Sequence, residues 1–161
     1  KKPILSWEDT VKLPWGILLL FGGGMALAKG FDSSGLAVWI GNQLTVLEAV
    51  PLLFLLLILI SIVNFLTEIT SNLATTAMLL PVLASLAEAI NINPYFLLVG
   101  ATVAASCAFM LPVATPPNAV VFGSKLLKID DMVKKGFWMN IISIIILTCA
   151  VYILLPLIWG F

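Results

Sequence analysis

Thr67-Glu-Ile-Thr-Ser-Asn-Leu-Ala-Thr-Thr76 and Val113-Ala-Thr-Pro-Pro-Asn-Ala-Val120 are polar, helix-breaking stretches set in sequence apolar enough for a lipid bilayer. Backbone and hydroxyl groups at membrane depth are costly unless they line a cavity or bind something. Two such interruptions in one short chain point to a site for a small polar solute. Secondary transporters hold ions and substrates near the midplane in this way.

The surrounding composition fits that setting. Of 161 residues, 61% are hydrophobic and only 10% are charged, against about 25% charged in a soluble domain. An integral membrane protein is expected. The net charge of zero and the absence of arginine argue against a nucleic-acid partner. The absence of histidine removes imidazole-based acid–base and zinc chemistry. Cys107 and Cys149 sit in apolar runs without a CxxC spacing and read as small core residues. Lys1-Lys2-Pro3 leads into an amphipathic, charged stretch, so no cleavable signal peptide is expected there.

Working outward, residues 1–14 read as a cytoplasmic interfacial segment around Trp7. An apolar run over 15–32, opened by Pro14-Trp15, is about long enough to span. Gly22-Gly23-Gly24 within it offers a smooth face for helix packing. Residues 33–50 hold an amphipathic helix, capped by Ser33 or Ser34, expected to lie in the interface plane as an arm. Residues 51–90 form two helical runs around the first polar stretch, stopped by Asn91-Ile-Asn-Pro94. Residues 95–124 form a helix broken at Pro112 and Pro116-Pro117. A loop over 125–131 precedes a final run, 132–161, long enough to span with tilt.

Charge then sets the topology. Lys1, Lys2 and Lys12 form one basic cluster, and Lys125, Lys128, Lys134 and Lys135 another. The positive-inside rule places both in the cytoplasm. An even number of crossings must separate them. With 15–32 crossing outward and 95–124 crossing back, the 51–90 block enters and leaves on the outer side. It reads as a re-entrant hairpin with its tip at Ser71-Asn72, and the C-terminus falls outside. The tip and the break then meet at mid-membrane, where half-helix ends offer carbonyls to a cation and N–H groups to an anion.

The chain resembles the divalent-anion/sodium symporter family of dicarboxylate and citrate transporters. The resemblance rests on Thr67 to Thr76, on Cys107-Ala-Phe-Met-Leu-Pro-Val-Ala-Thr-Pro-Pro-Asn-Ala-Val-Val-Phe122 and on Trp15-Gly-Ile-Leu-Leu-Leu-Phe-Gly-Gly-Gly24. It runs over essentially the whole chain and corresponds to the C-terminal half, the second inverted repeat, of such a transporter. The resemblance implies an all-α membrane fold with a re-entrant hairpin and a broken helix. It implies a homodimer in the plasma membrane, the inner membrane in bacteria, partnered by an N-terminal half, and sodium-coupled uptake of di- or tricarboxylates by alternating access. It also implies that Thr67, Thr70 and Ala114 bind sodium mainly through backbone carbonyls and Asn72 through its amide oxygen, with Asn118 in the same set. Ser71, Asn72 and Thr115, with Pro116 beside them, would face a substrate carboxylate. Leu73 stands where the family often has threonine, which removes a hydroxyl contact and leaves the choice of carboxylate open.

Plainer roles compete at several of these residues. Thr75 and Thr76 can bond back to helix carbonyls. Glu68, an intramembrane carboxylate, is a functional candidate by default and equally a hairpin anchor. Asn118 can cap the second half-helix or face the ion. An ion-channel subunit is a second class, since broken helices also build selectivity filters. An exchanger of the same fold is a third reading. No Ser/His or paired-carboxylate constellation supports an enzyme.

Overall fold

The computed structural model describes residues 7–11, 13, 15–36, 39 and 49–160. The described residues are helical or irregular, with no strand among them. The described residues form seven helices in order: α1 (Trp7–Val11), α2 (Trp15–Ser33), α3 (Leu52–Leu66), α4 (Asn72–Ala89), α5 (Pro94–Ala104), α6 (Pro116–Gly123) and α7 (Ile129–Trp159). By length and composition α4 and α7 can each cross a bilayer, while α3 and α5 are shorter apolar helices. Most of the arm expected over 33–50 lies outside the described residues. Gly30 falls inside α2, and Gly35, just past its end, takes a positive φ of 72° that suits glycine.

Local chemistry accounts for the boundaries. Pro51 stands at the N-cap position of α3, and α3 ends at Thr67 where the polar stretch begins. Asn91 ends α4 in the left-handed region at φ 55°, a conformation asparagine tolerates. Asn93 then starts α5, its side chain accepting from Tyr95 N at 3.0 Å, with Pro94 at the first helical position. Asp130 and Asp131 in the first turn of α7 suit the positive end of its dipole. That helix starts three residues before the expected 132, because Ile129 to Asp131 continue it outward.

Helix α5 packs against both α3 and α4, and α7 closes on α3 and α5. The two arms of the helix–turn–helix are joined by α5 more than by each other. On α3 the buried residues Leu56, Ile60, Val63, Asn64 and Thr67 recur at helical spacing. They meet Leu97, Ala101, Ala104 and Ala105 of α5 and Ile144, Val151 and Leu155 of α7 in one core. Small residues allow close approach. Gly136 of α7 lies so near the 105–115 segment that an added Cβ would stand 2.3 Å from the Phe109 carbonyl oxygen. Gly22 and Gly23 of α2, by contrast, face open space within this chain, so no described residue packs on their smooth face.

Candidate functional site

The turn 67–71 and the break 105–115 meet, as the sequence predicts, around a cleft of about 480 Å³. Ile69, Thr70, Ser71, Asn72, Leu73, Val113, Ala114 and Pro116 line it. Of the expected site residues, Thr70, Ser71, Asn72, Ala114 and Pro116 face the cleft together. Thr67 lies fully buried beneath them.

Thr67 ties the two halves. Its Oγ1 sits 2.6 Å from Asn72 Oδ1 and 2.8 Å from the Ala105 carbonyl oxygen. A hydroxyl carries one proton, and the Ala105 carbonyl can only accept. Thr67 therefore shares its hydroxyl proton between the Asn72 amide oxygen and the Ala105 carbonyl oxygen. Thr70 donates to the Leu66 carbonyl at 2.8 Å and so receives the hydroxyl of buried Thr75 at 2.6 Å. Thr76 bonds back to the Asn72 carbonyl at 2.8 Å, the plainer role expected of it.

The main-chain carbonyls divide into two groups. Those at the end of α5 are engaged: Ala101, Val103 and Ala104 accept from Ala105, Ser106 and Cys107 amides, and Ala105 accepts from Thr67. At the α5 end each of these carbonyls already holds one protein donor and keeps a second lone pair. The carbonyls of Thr67, Thr70 and Ala114 accept no hydrogen bond from any described residue. These are the three named for sodium, and the carbonyls of Glu68, Ile69, Ser106, Phe109, Met110, Pro112 and Val113 are likewise unbonded among the described residues.

The two helix N-termini at the cleft also differ. At α4, Ser71 is extended (φ −70°, ψ 131°) and spends no side-chain bond on capping. Its carbonyl receives Thr75 N at 2.8 Å, which leaves the Asn72, Leu73 and Ala74 amides as the unbonded first turn. At α6, Pro116 and Pro117 have no N–H, and Asn118 N is held by Thr115 Oγ1 at 3.4 Å. Only the α4 end therefore presents N–H groups to an anion. Thr115 is the cap, and its accepting oxygen leaves its proton available. Asn118 also braces the break: its NH2 donates to the Ala108 carbonyl at 2.9 Å and the Leu111 carbonyl at 3.1 Å.

Glu68 resolves toward the anchor. It is buried, and its Oε1 accepts from Phe109 N at 2.7 Å and Met110 N at 2.9 Å, its Oε2 from Leu111 N at 3.0 Å. Asn140 Nδ2 of α7 adds a fourth bond to Oε1 at 2.8 Å. Three successive backbone amides make an anion-holding concavity, and all four donors are neutral. The carboxylate thus fixes the break against the turn.

Sequence reading missed the partners behind this anchor. Asn64 and Asn140 are both fully buried. Asn64 Nδ2 donates to the Cys107 carbonyl at 2.8 Å and to Ser143 Oγ at 3.3 Å, and Ser143 donates to the Asn140 carbonyl at 2.8 Å. The amide oxygens of both asparagines have no partner. Neither amide can be turned over, since the Cys107 carbonyl and the Glu68 carboxylate only accept. Each unpaired oxygen costs about 1–3 kcal/mol. A lone asparagine in Ser-Ile-Val-Asn64-Phe-Leu and in Trp-Met-Asn140-Ile-Ile is the signal that could have found them, because polar residues in apolar spans seldom stand idle.

Known proteins resemble this chain along nearly its whole length. Residues 2–159 match the family described as the sodium:sulfate symporter transmembrane region. The chain is 52% identical over 159 residues to the sodium-dependent dicarboxylate transporter SdcS of Staphylococcus saprophyticus, covering 99% of this chain and 31% of that protein. It is 50% identical over 157 residues to the same transporter of Staphylococcus aureus strain MRSA252, covering 98% of this chain and 30% of that one. The chain thus spans about a third of its relatives, corresponding to their C-terminal part. The relatives are transporters, not enzymes. On the match across nearly its whole length, this chain belongs to the sodium:sulfate symporter family of membrane transporters.

Proposed function

We propose that this chain is the C-terminal part of a sodium-coupled carboxylate transporter, supplying one sodium clamp and half of the substrate contacts. The carrying observation is the pairing of unbonded carbonyls at Thr67, Thr70 and Ala114 with unbonded amides at the start of α4, across one cleft. Carbonyl oxygens suit a hard monovalent cation, and a helix N-terminus suits a carboxylate. Both charges are then held side by side, so each lowers the cost of burying the other. Ser71, Asn72 and Thr115, with Pro116 shaping the wall, contact the substrate; Thr67, Thr70, Asn72 and Ala114 hold sodium, with Asn118 bracing the loop that carries Ala114. The cleft's other wall comes from the rest of the protein. The named activity of the relatives makes a dicarboxylate the first substrate to test.

In this reading the turn 67–71 is the tip of a re-entrant hairpin entering from outside, and residues 51–124 move as one body during alternating access. The protein works as a homodimer in the bacterial inner membrane. The test is uptake of labelled succinate into proteoliposomes holding the complete protein. Uptake should saturate with succinate and require an inward sodium gradient. Unsaturable flux without sodium would favour a channel, and uptake driven only by internal carboxylate an exchanger.

Topology has its own check. With Cys107 and Cys149 replaced, cysteines introduced at Lys128 and Asn93 should react with impermeant reagent from the cytoplasmic and outer sides respectively. Labelling of both from one side would show that residues 95–124 do not cross.

A further inference from the structure

Asn140 belongs to α7, and no residue of α7 lines the cleft. It nonetheless reaches the site in two steps. Its Nδ2 donates to Glu68 Oε1 at 2.8 Å, and the same oxygen receives Phe109 N and Met110 N. Five residues on from Phe109, Ala114 lines the cleft, and Thr115 beside it caps α6. On the other side, Glu68 directly follows Thr67, whose hydroxyl bridges Asn72 and Ala105. One carboxylate therefore sets the backbone of both walls, and one amide of α7 holds that carboxylate from behind.

Burial makes this contact specific. Asn140 is fully enclosed, its amide cannot be turned over, and its oxygen stays unpaired. A residue kept only to fill the α3–α7 interface would be better served by an apolar side chain. The one thing its polarity achieves here is the bond to Glu68. Gly136, one turn earlier on the same face, brings that stretch of α7 against Phe109 and Met110. Asn64 supplies a parallel tie to the Cys107 carbonyl and to Ser143.

We propose that Asn140 is a positioning residue for sodium: acting through Glu68, it sets the 109–115 segment so that the Ala114 carbonyl meets the turn at the spacing the ion needs. This rests on the sodium reading above. Loss of a partner that orients ligands without touching the ion costs about 10–100-fold in metal affinity or activity, and sodium at saturation draws the Ala114 carbonyl back into place. Asn140 should therefore act on sodium rather than on the carboxylate.

The experiment measures uptake by the complete protein against sodium at saturating succinate, and against succinate at saturating sodium. Asn140→Ala should raise the half-saturating sodium concentration about tenfold, while KM for succinate at saturating sodium stays within about twofold. Asn140→Asp, which sets a second carboxylate against Glu68, should raise it further. Adding Glu68→Gln to Asn140→Asp restores a neutral amide facing a carboxylate. It should recover part of the sodium affinity, incompletely because the new NH2 must take the Oε1 position to reach the introduced carboxylate, where Phe109 N and Met110 N lose their acceptor. Thr148→Val, on the same buried face of α7 with a hydroxyl that bonds nothing, should leave both constants unchanged. A lower maximal rate with unchanged sodium dependence in both Asn140 variants would overturn the proposal. So would failure of both to accumulate in the membrane, which would place Asn140 in folding alone. A wild-type protein that takes up succinate without sodium would instead overturn the sodium reading itself.

Discussion

Glu68→Ala is expected to abolish transport and to destabilise the protein by at least about 3 kcal/mol. Four donors lose their acceptor at once: the Phe109, Met110 and Leu111 amides and the Asn140 NH2. An unsatisfied buried donor costs about 1–3 kcal/mol, and Glu68 and Asn140, both buried, lie at the centre of this cluster. Glu68→Gln should fall between mutant and wild type. Its single carbonyl can still accept on the Phe109 side, while its NH2 faces Leu111 N. Thermal unfolding in detergent together with uptake would give the order wild type, Gln, Ala. Equal stability of the Ala variant and the wild type would show that the carboxylate does not hold the break.

Gly136→Ala should be nearly as damaging, although it adds one methyl group. The new Cβ would meet the Phe109 carbonyl oxygen at 2.3 Å, the Phe109 carbonyl carbon at 2.5 Å and Met110 Cα at 2.6 Å. All three are backbone atoms, so no rotamer change relieves the clash. Either α7 withdraws or the 107–111 segment moves, and both displace Glu68. Overpacking of this kind costs about 1–3 kcal/mol and sometimes more. Gly100→Ala is the matched contrast: its Cβ would meet Ile60 side-chain atoms at 3.6 Å and Leu56 at 3.8 Å, ordinary contact. There the gain in helix propensity should leave stability equal or higher. Similar stability for the two variants would contradict the close approach of α7 to the break.

What could be read from the sequence, and what could not, follows from the range of each physical signal. The helix stops at Asn91-Ile-Asn-Pro94 and Pro116-Pro117 are local, since proline and asparagine act on their own backbone, and the structure ends and starts helices there. That the turn and the break meet came from a charge count over the whole chain. The roles of Asn118 and Glu68 stayed open because each depends on partners 7 to 72 residues away. Which carbonyls carry a protein donor is equally non-local: Thr67, 38 residues from Ala105, donates to its carbonyl. Asn64 and Asn140 went unread as a pair because nothing local links residues on separate helices. They become visible only when α3 and α7 are laid together.

The central claim is that the turn and the break jointly bind sodium, and Asn72 tests it most directly. Its side chain bridges the turn through Thr67, and its backbone amide begins the free end of α4. Asn72 is half-buried, so its truncation removes a ligand more than it removes core packing. Sodium-dependent succinate uptake by Asn72→Ala in the complete protein should fall to background, with expression and thermal stability close to wild type. Uptake in the variant with the wild-type dependence on sodium would contradict the account.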